Sequence, residues 1–293
     1  MKIHACLLFF ITMMIILLAF YSPKYLPITI IGYKYADLVD TPPSQKRENM
    51  ESNIRFFNLV LYSSGSDEYD NMKRITEEYY KNFSNVKTVY YTFSETLEEP
   101  YKLENNVLFI KGKESYVPGI TDKTKLAFSY FKDEYNHYDY VVRSNISTII
   151  NFELLTSELA KQPIDYGSGL TFSVESIDVD KTDEKIYDVN FASGTSIIMS
   201  KNVINRLVEK VDLVRSDIID DVAIGIFIKD HLPDIKMIKI VPEKYTYVPD
   251  YHGEFEKVYD HLKNKDFIFY RNRNDTDRKI DGTQMSQIVK IIS

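Results

Sequence analysis

Tyr138-Asp139-Tyr140-Val141-Val142-Arg143 is a short apolar run that ends on a charge, and Ser144-Asn145-Ile146-Ser147 follows it directly. The run is too short for a helix and rich in β-branched and aromatic residues, so it reads as a buried strand. Upstream, Arg55–Tyr62 is a second such run, closed by the turn-forming Ser63-Ser64-Gly65. Ser66 is placed to cap a helix over Asp67–Phe83, with Tyr69, Met72, Ile75, Tyr79 and Phe83 on one stripe. Strands follow at Val86–Phe93 and Asn106–Lys111, then a helix over Pro118–Tyr135. Downstream of the opening run, Asn151–Ala160 is helical. Strands alternating with helices imply an α/β fold, with a mostly parallel sheet covered on both faces. Ligands of such sheets bind at the carboxyl ends of strands, which singles out residues 143–147.

The second half is less regular. Leu170–Glu175 reads as a strand, Asp178–Asp188 as a charged surface loop, and Lys201–Val211 and Ile219–His231 as helices. Phe267–Tyr270 reads as a strand that Arg271-Asn272-Arg273 follows. There is no internal repeat and no low-complexity tract.

Composition excludes several classes. The net charge is −7, so there is no surplus of Lys and Arg for a nucleic-acid backbone. Cys6 is the one cysteine and lies in the apolar N-terminal segment, which rules out a disulfide, thiolate chemistry or a cysteine-based zinc site in the rest of the chain.

Residues 5–21 are almost wholly apolar, with Thr12 the exception, and reach the lower limit for a membrane-spanning helix. A cleaved signal peptide is the rival reading. Ala19-Phe20-Tyr21-Ser22-Pro23 lacks the small residues that a cleavage site needs, which favours an uncleaved anchor. The chain then divides into a cytoplasmic tip (1–4), a transmembrane signal anchor (5–21), a stem (22–52) and one domain (53–293). The stem carries Pro23, Pro27, Pro42 and Pro43, which disfavour regular pairing. A single N-terminal anchor usually places a large C-terminal domain across the membrane.

Three segments together resemble the family 31 glycosyltransferases, the β-1,3-galactosyltransferase and Fringe-like group. Glu114-Ser115-Tyr116 followed by Lys123-Thr124 is similar to the family's acidic-x-Tyr…Leu-Thr-x-Lys-Thr pattern, with spacing altered by Pro118-Gly119. Residues 138–143 are similar to the strand that delivers the family's Asp-x-Asp motif. Phe191-Ala192-Ser193-Gly194-Thr195-Ser196-Ile197-Ile198-Met199-Ser200, then Asp220-Asp221-Val222-Ala223-Ile224-Gly225, resemble its Tyr-x-Ser-Gly-x-Gly-Tyr-x-Leu-Ser and Glu-Asp-Val-x-x-Gly pair.

The resemblance implies a GT-A-like, Rossmann-type mixed and mostly parallel sheet flanked by helices, behind an N-terminal transmembrane helix. It implies an inverting transfer of a hexose or N-acetylhexosamine from a nucleotide sugar to a glycan or glycoprotein hydroxyl. The setting would be a type II membrane protein facing the Golgi or ER lumen. Asp221 would be the base that takes the acceptor's proton, with Asp220 beside it or merely capping the helix. Ser193 and Gly194 would lie next to the substrates. His252 would touch donor or acceptor, or lie idle on the surface.

The departure is at the metal motif, where this chain has Ser144, Asn145 and Ser147. Neutral Ser and Asn are poor ligands for a hard cation, so no metal ligand is assigned and no cofactor is expected. A divalent ion such as Mn²⁺ would lack its usual acids. Cationic side chains are the replacement: Arg271 and Arg273, with Lys123 and Arg143 from the sheet, or these arginines pair with Asp275, Asp277 and Asp281 instead. The donor-binding set expected is thus Lys123, Arg143, Ser144, Asn145, Ser147, Arg271 and Arg273. A non-catalytic glycan- or nucleotide-sugar-binding relative is the alternative, and an anchored surface protein with an unrelated α/β fold the third reading. Asn82-Phe83-Ser84 and Asn274-Asp275-Thr276 are glycosylation sequons if the domain is lumenal. Asn145-Ile146-Ser147 also matches but is expected to stay unmodified.

Overall fold

The computed structural model describes residues 30–34 (backbone only), 54–179, 184–248, 254–263, 265–274 and 276–293. The anchor segment 5–21 and His252 lie outside the described residues, as does most of the stem. No helix among the described residues is long and apolar enough to cross a membrane.

In chain order the first strands and helix are β1 (Ile30–Lys34), β2 (Phe56–Leu61), α1 (Asp67–Tyr80), β3 (Val86–Ser94), β4 (Tyr101–Glu104) and β5 (Val107–Lys111). Then come α2 (Gly119–Tyr130), β6 (Tyr140–Asn145), β7 (Thr148–Ile150), α3 (Phe152–Lys161), β8 (Tyr166–Ser168), β9 (Thr171–Val179), β10 (Glu184–Ala192) and β11 (Ser196–Ser200). The rest are α4 (Lys201–Val208), α5 (Asp220–His231), β12 (Met237–Lys239), β13 (Tyr245–Val248), α6 (Phe255–Leu262), β14 (Phe269–Asn272) and α7 (Arg278–Ile292).

The main sheet has the order β12-β8-β11-β6-β2-β3-β5-β4. Its middle is parallel: β6, β2, β3 and β5 run the same way. On one side β11 lies antiparallel to β6, and on the other β4 lies antiparallel to β5. This is a mixed α/β fold with a mostly parallel centre.

The parallel strands are apolar on both faces because both faces are covered. Phe57, Leu59, Val141 and Ile197 point to one core, closed by α2, α4 and α5. Phe56, Val60, Val142 and Ile198 point to the other, closed by α1, α3, α6 and α7. Successive side chains in a strand face opposite ways, so each such pair divides itself between the two cores.

Two smaller sheets flank this one. The first is β1-β9-β10 and the second β13-β14-β7. The first corrects the loop expected over Asp178–Asp188: β9 runs to Val179 and β10 starts at Glu184. Ile177 and Val179 are buried on either side of Asp178, the alternation of a half-buried strand, and β10 carries Ile186 and Val189 among its charges. β1 falls within the stretch read as stem. Its backbone pairs antiparallel with β9, Ile30 opposite Ile177 and Tyr33 opposite Val174. Pro27 and Pro42 lie outside these five residues and leave their pairing intact. The helix expected over Pro118–Tyr135 ends at Tyr130, and the helix expected to reach Val211 ends at Val208.

β7 positions the site. After β6 the chain turns at Ile146-Ser147 and continues as β7, antiparallel to β14. That register sets Arg271 opposite Thr148 and brings the C-terminal segment to the carboxyl end of β6. β14 itself spans Phe269–Asn272, so Arg271 lies within the strand rather than beyond its end.

Candidate active site

A cleft of about 600 Å³ opens at the carboxyl ends of β2 and β6, where Leu61 and Asn145 line it. This volume is in the range of small-molecule sites. Asp221, Gly194 and Ser193 form one wall, and Arg271, Arg273 and Arg278 another.

Asp221 is in the first turn of α5. The helix is brought close to β10 by Gly225: a Cβ there would lie 2.7 Å from the Asn190 carbonyl oxygen and 2.5 Å from Phe191 Cβ. The glycine of the Asp220-Asp221-Val222-Ala223-Ile224-Gly225 segment is thus a packing requirement. Close packing sets Asp221 beside the turn that follows β10. Its Oδ2 accepts from the Gly194 N–H at 2.9 Å and its Oδ1 from the Val222 N–H at 2.9 Å. These use two of roughly four lone-pair sites, so the carboxylate can still take a hydroxyl proton. Burial pushes the Asp221 carboxyl up to about 6. The neighbouring Asp220 carboxylate adds to that rise, while the Gly194 N–H, Arg143 and the Val222 N–H oppose it.

Asp220 is buried and serves differently. Its Oδ2 meets Arg143 Nη2 at 2.6 Å and accepts from Thr124 Oγ1 at 2.8 Å, and its Oδ1 accepts from the Asp221 N–H at 3.0 Å. Both acids therefore satisfy first-turn amides, and Asp221 alone also reaches across to the facing turn.

The expected donor-binding residues separate. Arg143 is 1% exposed and lines the cleft, but its guanidinium is engaged by Asp220, by the Gly194 carbonyl at 2.5 Å and by Asn145 Oδ1 at 2.8 Å. Lys123 is off the cleft. Its Nζ pairs with both Glu114 oxygens at 2.6 and 2.8 Å and donates to the Tyr62 carbonyl at 2.8 Å. Glu114 also accepts from the Phe93 N–H, so this pair ties α2 to the ends of β2 and β3. Ser144 is buried against Asn58, and Ser147 is buried behind Arg271, whose Nη1 donates to its hydroxyl. Contrary to the expected donor contacts, Lys123, Ser144 and Ser147 do not line the cleft: Lys123 sits on α2 against Glu114, strand alternation turns Ser144 to the face opposite Arg143 and Asn145, and Ser147 lies in the turn before β7.

Arg271 is 7% exposed, and among the described residues no carboxylate pairs with it. Its Nε has no hydrogen-bond partner. Burial lowers its guanidinium to about 10, Arg278 and Arg273 add to the effect, and Tyr245 and Tyr247 oppose it. A buried cation without a counter-charge is costly, and this one faces the cleft. Arg278 is instead paired with the buried Asp281 and stacks over the Tyr69 ring at 5.9 Å.

A divalent cation does not fit the strand end. Asn145 Oδ1 is taken by Arg143, and Asp220 is taken by Arg143 and Thr124, so neither is free to ligate an ion. Among the described residues no group of three His, Cys, Asp or Glu side chains is placed to share an ion.

Sequence reasoning missed the aromatic rim. Tyr247 is 50% exposed, pairs in register with Arg271 and lines the cleft, as do Tyr116 and Phe172. Tyr116 belongs to the Glu114-Ser115-Tyr116 segment, whereas nothing local marks Tyr247 or Phe172. The register of β13 on β14 is what places Tyr247. Of the sequons, Asn82 is exposed, whereas Asn274 is buried with its Oδ1 accepting from Thr276 and Asp277.

Gly194 tests how tight the site is. A Cβ there would lie 2.7 Å from Arg143 Nη1 and 3.2 Å from Asp221 Oδ2. Gly194→Ala is expected to displace one or both and lower any turnover by about 10²-fold with the fold retained. Steady-state kinetics beside a far-ultraviolet circular dichroism spectrum checks this; wild-type turnover in the variant would show that the turn has room to spare.

A solved structure similar to this chain is the crystal structure of a glycosyltransferase involved in the glycosylation of the major capsid of PBCV-1. It is 13% identical, the match covers 79% of this chain and 98% of that one, and the TM-score is 0.42. No protein-family model matches the chain, and no curated protein does.

Proposed function

We propose that this chain is an inverting glycosyltransferase that uses a nucleotide sugar. One observation carries the reading: a single cleft holds a carboxyl group of raised proton affinity, Asp221, and a buried guanidinium without a carboxylate partner among the described residues, Arg271. The first suits a base that takes a hydroxyl proton near neutral pH. The second suits an anion such as the donor diphosphate.

The acceptor hydroxyl oxygen attacks the anomeric carbon, and the bond from that carbon to the diphosphate oxygen breaks. The hydroxyl proton goes to Asp221, and the nucleoside diphosphate leaves with the electron pair against Arg271 and Arg273. The motif resemblance extends the proposal to a family 31 type of enzyme moving a hexose or N-acetylhexosamine to a glycan or glycoprotein. It also extends it to a domain held in the lumen by residues 5–21. The non-catalytic alternative predicts a cleft without a cation facing the strand end, and Arg271 counts against it.

The test is a screen of nucleotide sugars for transfer and donor hydrolysis. It uses the full-length protein in detergent, since β1 precedes residue 53. Transfer from one donor class supports the reading, and binding without turnover across all donors would leave the non-catalytic alternative. If Arg271 and Arg273 stabilise the leaving diphosphate in place of a metal, chelation is expected to change the rate by less than about twofold. A steep loss on chelation, restored by a divalent ion, would overturn the arginine assignment.

A further inference from the structure

Arg143, Gly194, Asp221 and Asp220 form a closed ring of contacts. The Arg143 guanidinium bridges the Asp220 carboxylate (2.6 Å) and the Gly194 carbonyl (2.5 Å). The Gly194 N–H donates to Asp221 Oδ2 (2.9 Å), and the Asp221 N–H donates back to Asp220 Oδ1 (3.0 Å). β6 supplies the arginine, the turn after β10 supplies the glycine, and α5 supplies both acids. Three separate segments thus meet on one buried cation.

We propose that Arg143 and Asp220 are positioning residues for Asp221: their buried ion pair fixes the Gly194 peptide and the first turn of α5, and so sets where the Asp221 carboxylate points and which charge it faces. The inference rests on Asp221 being the base of the proposed transfer. A guanidinium suits the task because its planar fork can hold a carboxylate and a carbonyl at once, which an ammonium cannot do with the same geometry. Thr124 Oγ1, itself in contact with the Tyr91 hydroxyl at 3.0 Å, fixes Asp220 from α2.

Among the described residues, the charged and titratable groups facing Asp221 come from several elements. Asp220 lies on its own helix and Arg143 on β6, the Tyr166 hydroxyl is on β8, and Arg271, Arg273 and Arg278 line the cleft. Asp220 raises the proton affinity of Asp221 and Arg143 lowers it, so the two can be told apart by opposite substitutions.

The test is a carboxyl ¹³C NMR titration of Asp221 in the full-length protein in detergent, run beside pH–rate profiles. In Asp220→Asn the titration of Asp221 is expected to fall from about 6 toward the ordinary carboxylate range near ~4. In Arg143→Met the titration of Asp221 is expected to rise, because the Arg143 charge that opposes the upward shift is gone. Arg143→Lys keeps the charge but not the fork. Its kcat is expected to fall about 10²-fold with donor KM little changed. Should Arg143→Met fail to fold, the near-isosteric Asp220→Asn still decides. An unmoved titration in Asp220→Asn would overturn the positioning role even if transfer is observed. Titrations that move as stated in a protein that transfers no sugar would uphold the network and sink the functional reading.

Discussion

Asp221→Asn is expected to lower transfer by roughly 10²–10⁴-fold, the usual contribution of a positioned base, while the folded state becomes more stable at neutral pH. The sign follows from the raised carboxyl. Its ordinary value is 3.8 and its folded value about 6, so the folded state holds the proton more tightly than the unfolded chain. Charging this carboxylate therefore costs the fold stability, beginning as pH rises past the unfolded value and complete above about 6. That rise corresponds to roughly 2–3 kcal/mol. Asn escapes this cost but has one carbonyl oxygen for two backbone donors, Gly194 and Val222, and losing one of those bonds costs about 1 kcal/mol. The net gain is about 1–2 kcal/mol, a Tm rise of about 2–8 °C for a domain of this size. The gain should shrink as pH falls from 6 toward 4. Donor affinity, measured by calorimetry, should change by less than about twofold, because the base faces the acceptor. Wild-type turnover in this variant would remove Asp221 from the chemistry, and a lower Tm at pH 7 would show that its carboxylate is structurally required.

The parts of this fold that were legible were those set by local pattern. Phe56–Leu61 is apolar apart from Asn58, and β6 opens on the apolar Tyr140-Val141-Val142, because both sheet faces are covered, and their sequence shows it. Met72, Ile75 and Tyr79 announce α1 by their spacing. The β9–β10 pairing was hidden because charged residues dominate the composition, and alternation with apolar ones shows only at Ile177 and Val179. In the site, sequence order gave the strand end at residues 143–147 but not which side chains turn toward the opening. Arg143 was legible as a cation at a strand end. That Asp220, 77 residues later, neutralises it is a fact of tertiary packing alone. The same holds for Arg271: the sequence shows an arginine beside aspartates, and the structure shows that no described carboxylate reaches it.

Arg271→Met is the second large effect. The unliganded protein should not be destabilised by it, although a buried hydrogen bond to Ser147 is lost. Burial lowers the guanidinium from 12.5 to about 10, so its charge opposes folding at neutral pH by roughly 3–4 kcal/mol. Methionine fills similar space without that charge. Donor binding should respond in the opposite direction. A charge-assisted bond to a diphosphate is worth about 1.5–3 kcal/mol, so affinity for nucleotide sugar and for the free nucleoside diphosphate should both drop about 10–100-fold. The rise in Tm that saturating donor produces should shrink accordingly. Arg271→Lys should recover part of the affinity, since the charge returns without the fork. Arg206 provides the control: it makes an exposed pair with Asp234 at 2.7 and 2.8 Å, and its removal should leave donor binding untouched. If Arg271→Met binds donor as the wild type does, the anion site lies elsewhere and the cleft loses its claim to the diphosphate. A matched drop in affinity for sugar nucleotide and free nucleoside diphosphate would place the interaction on the diphosphate rather than on the sugar.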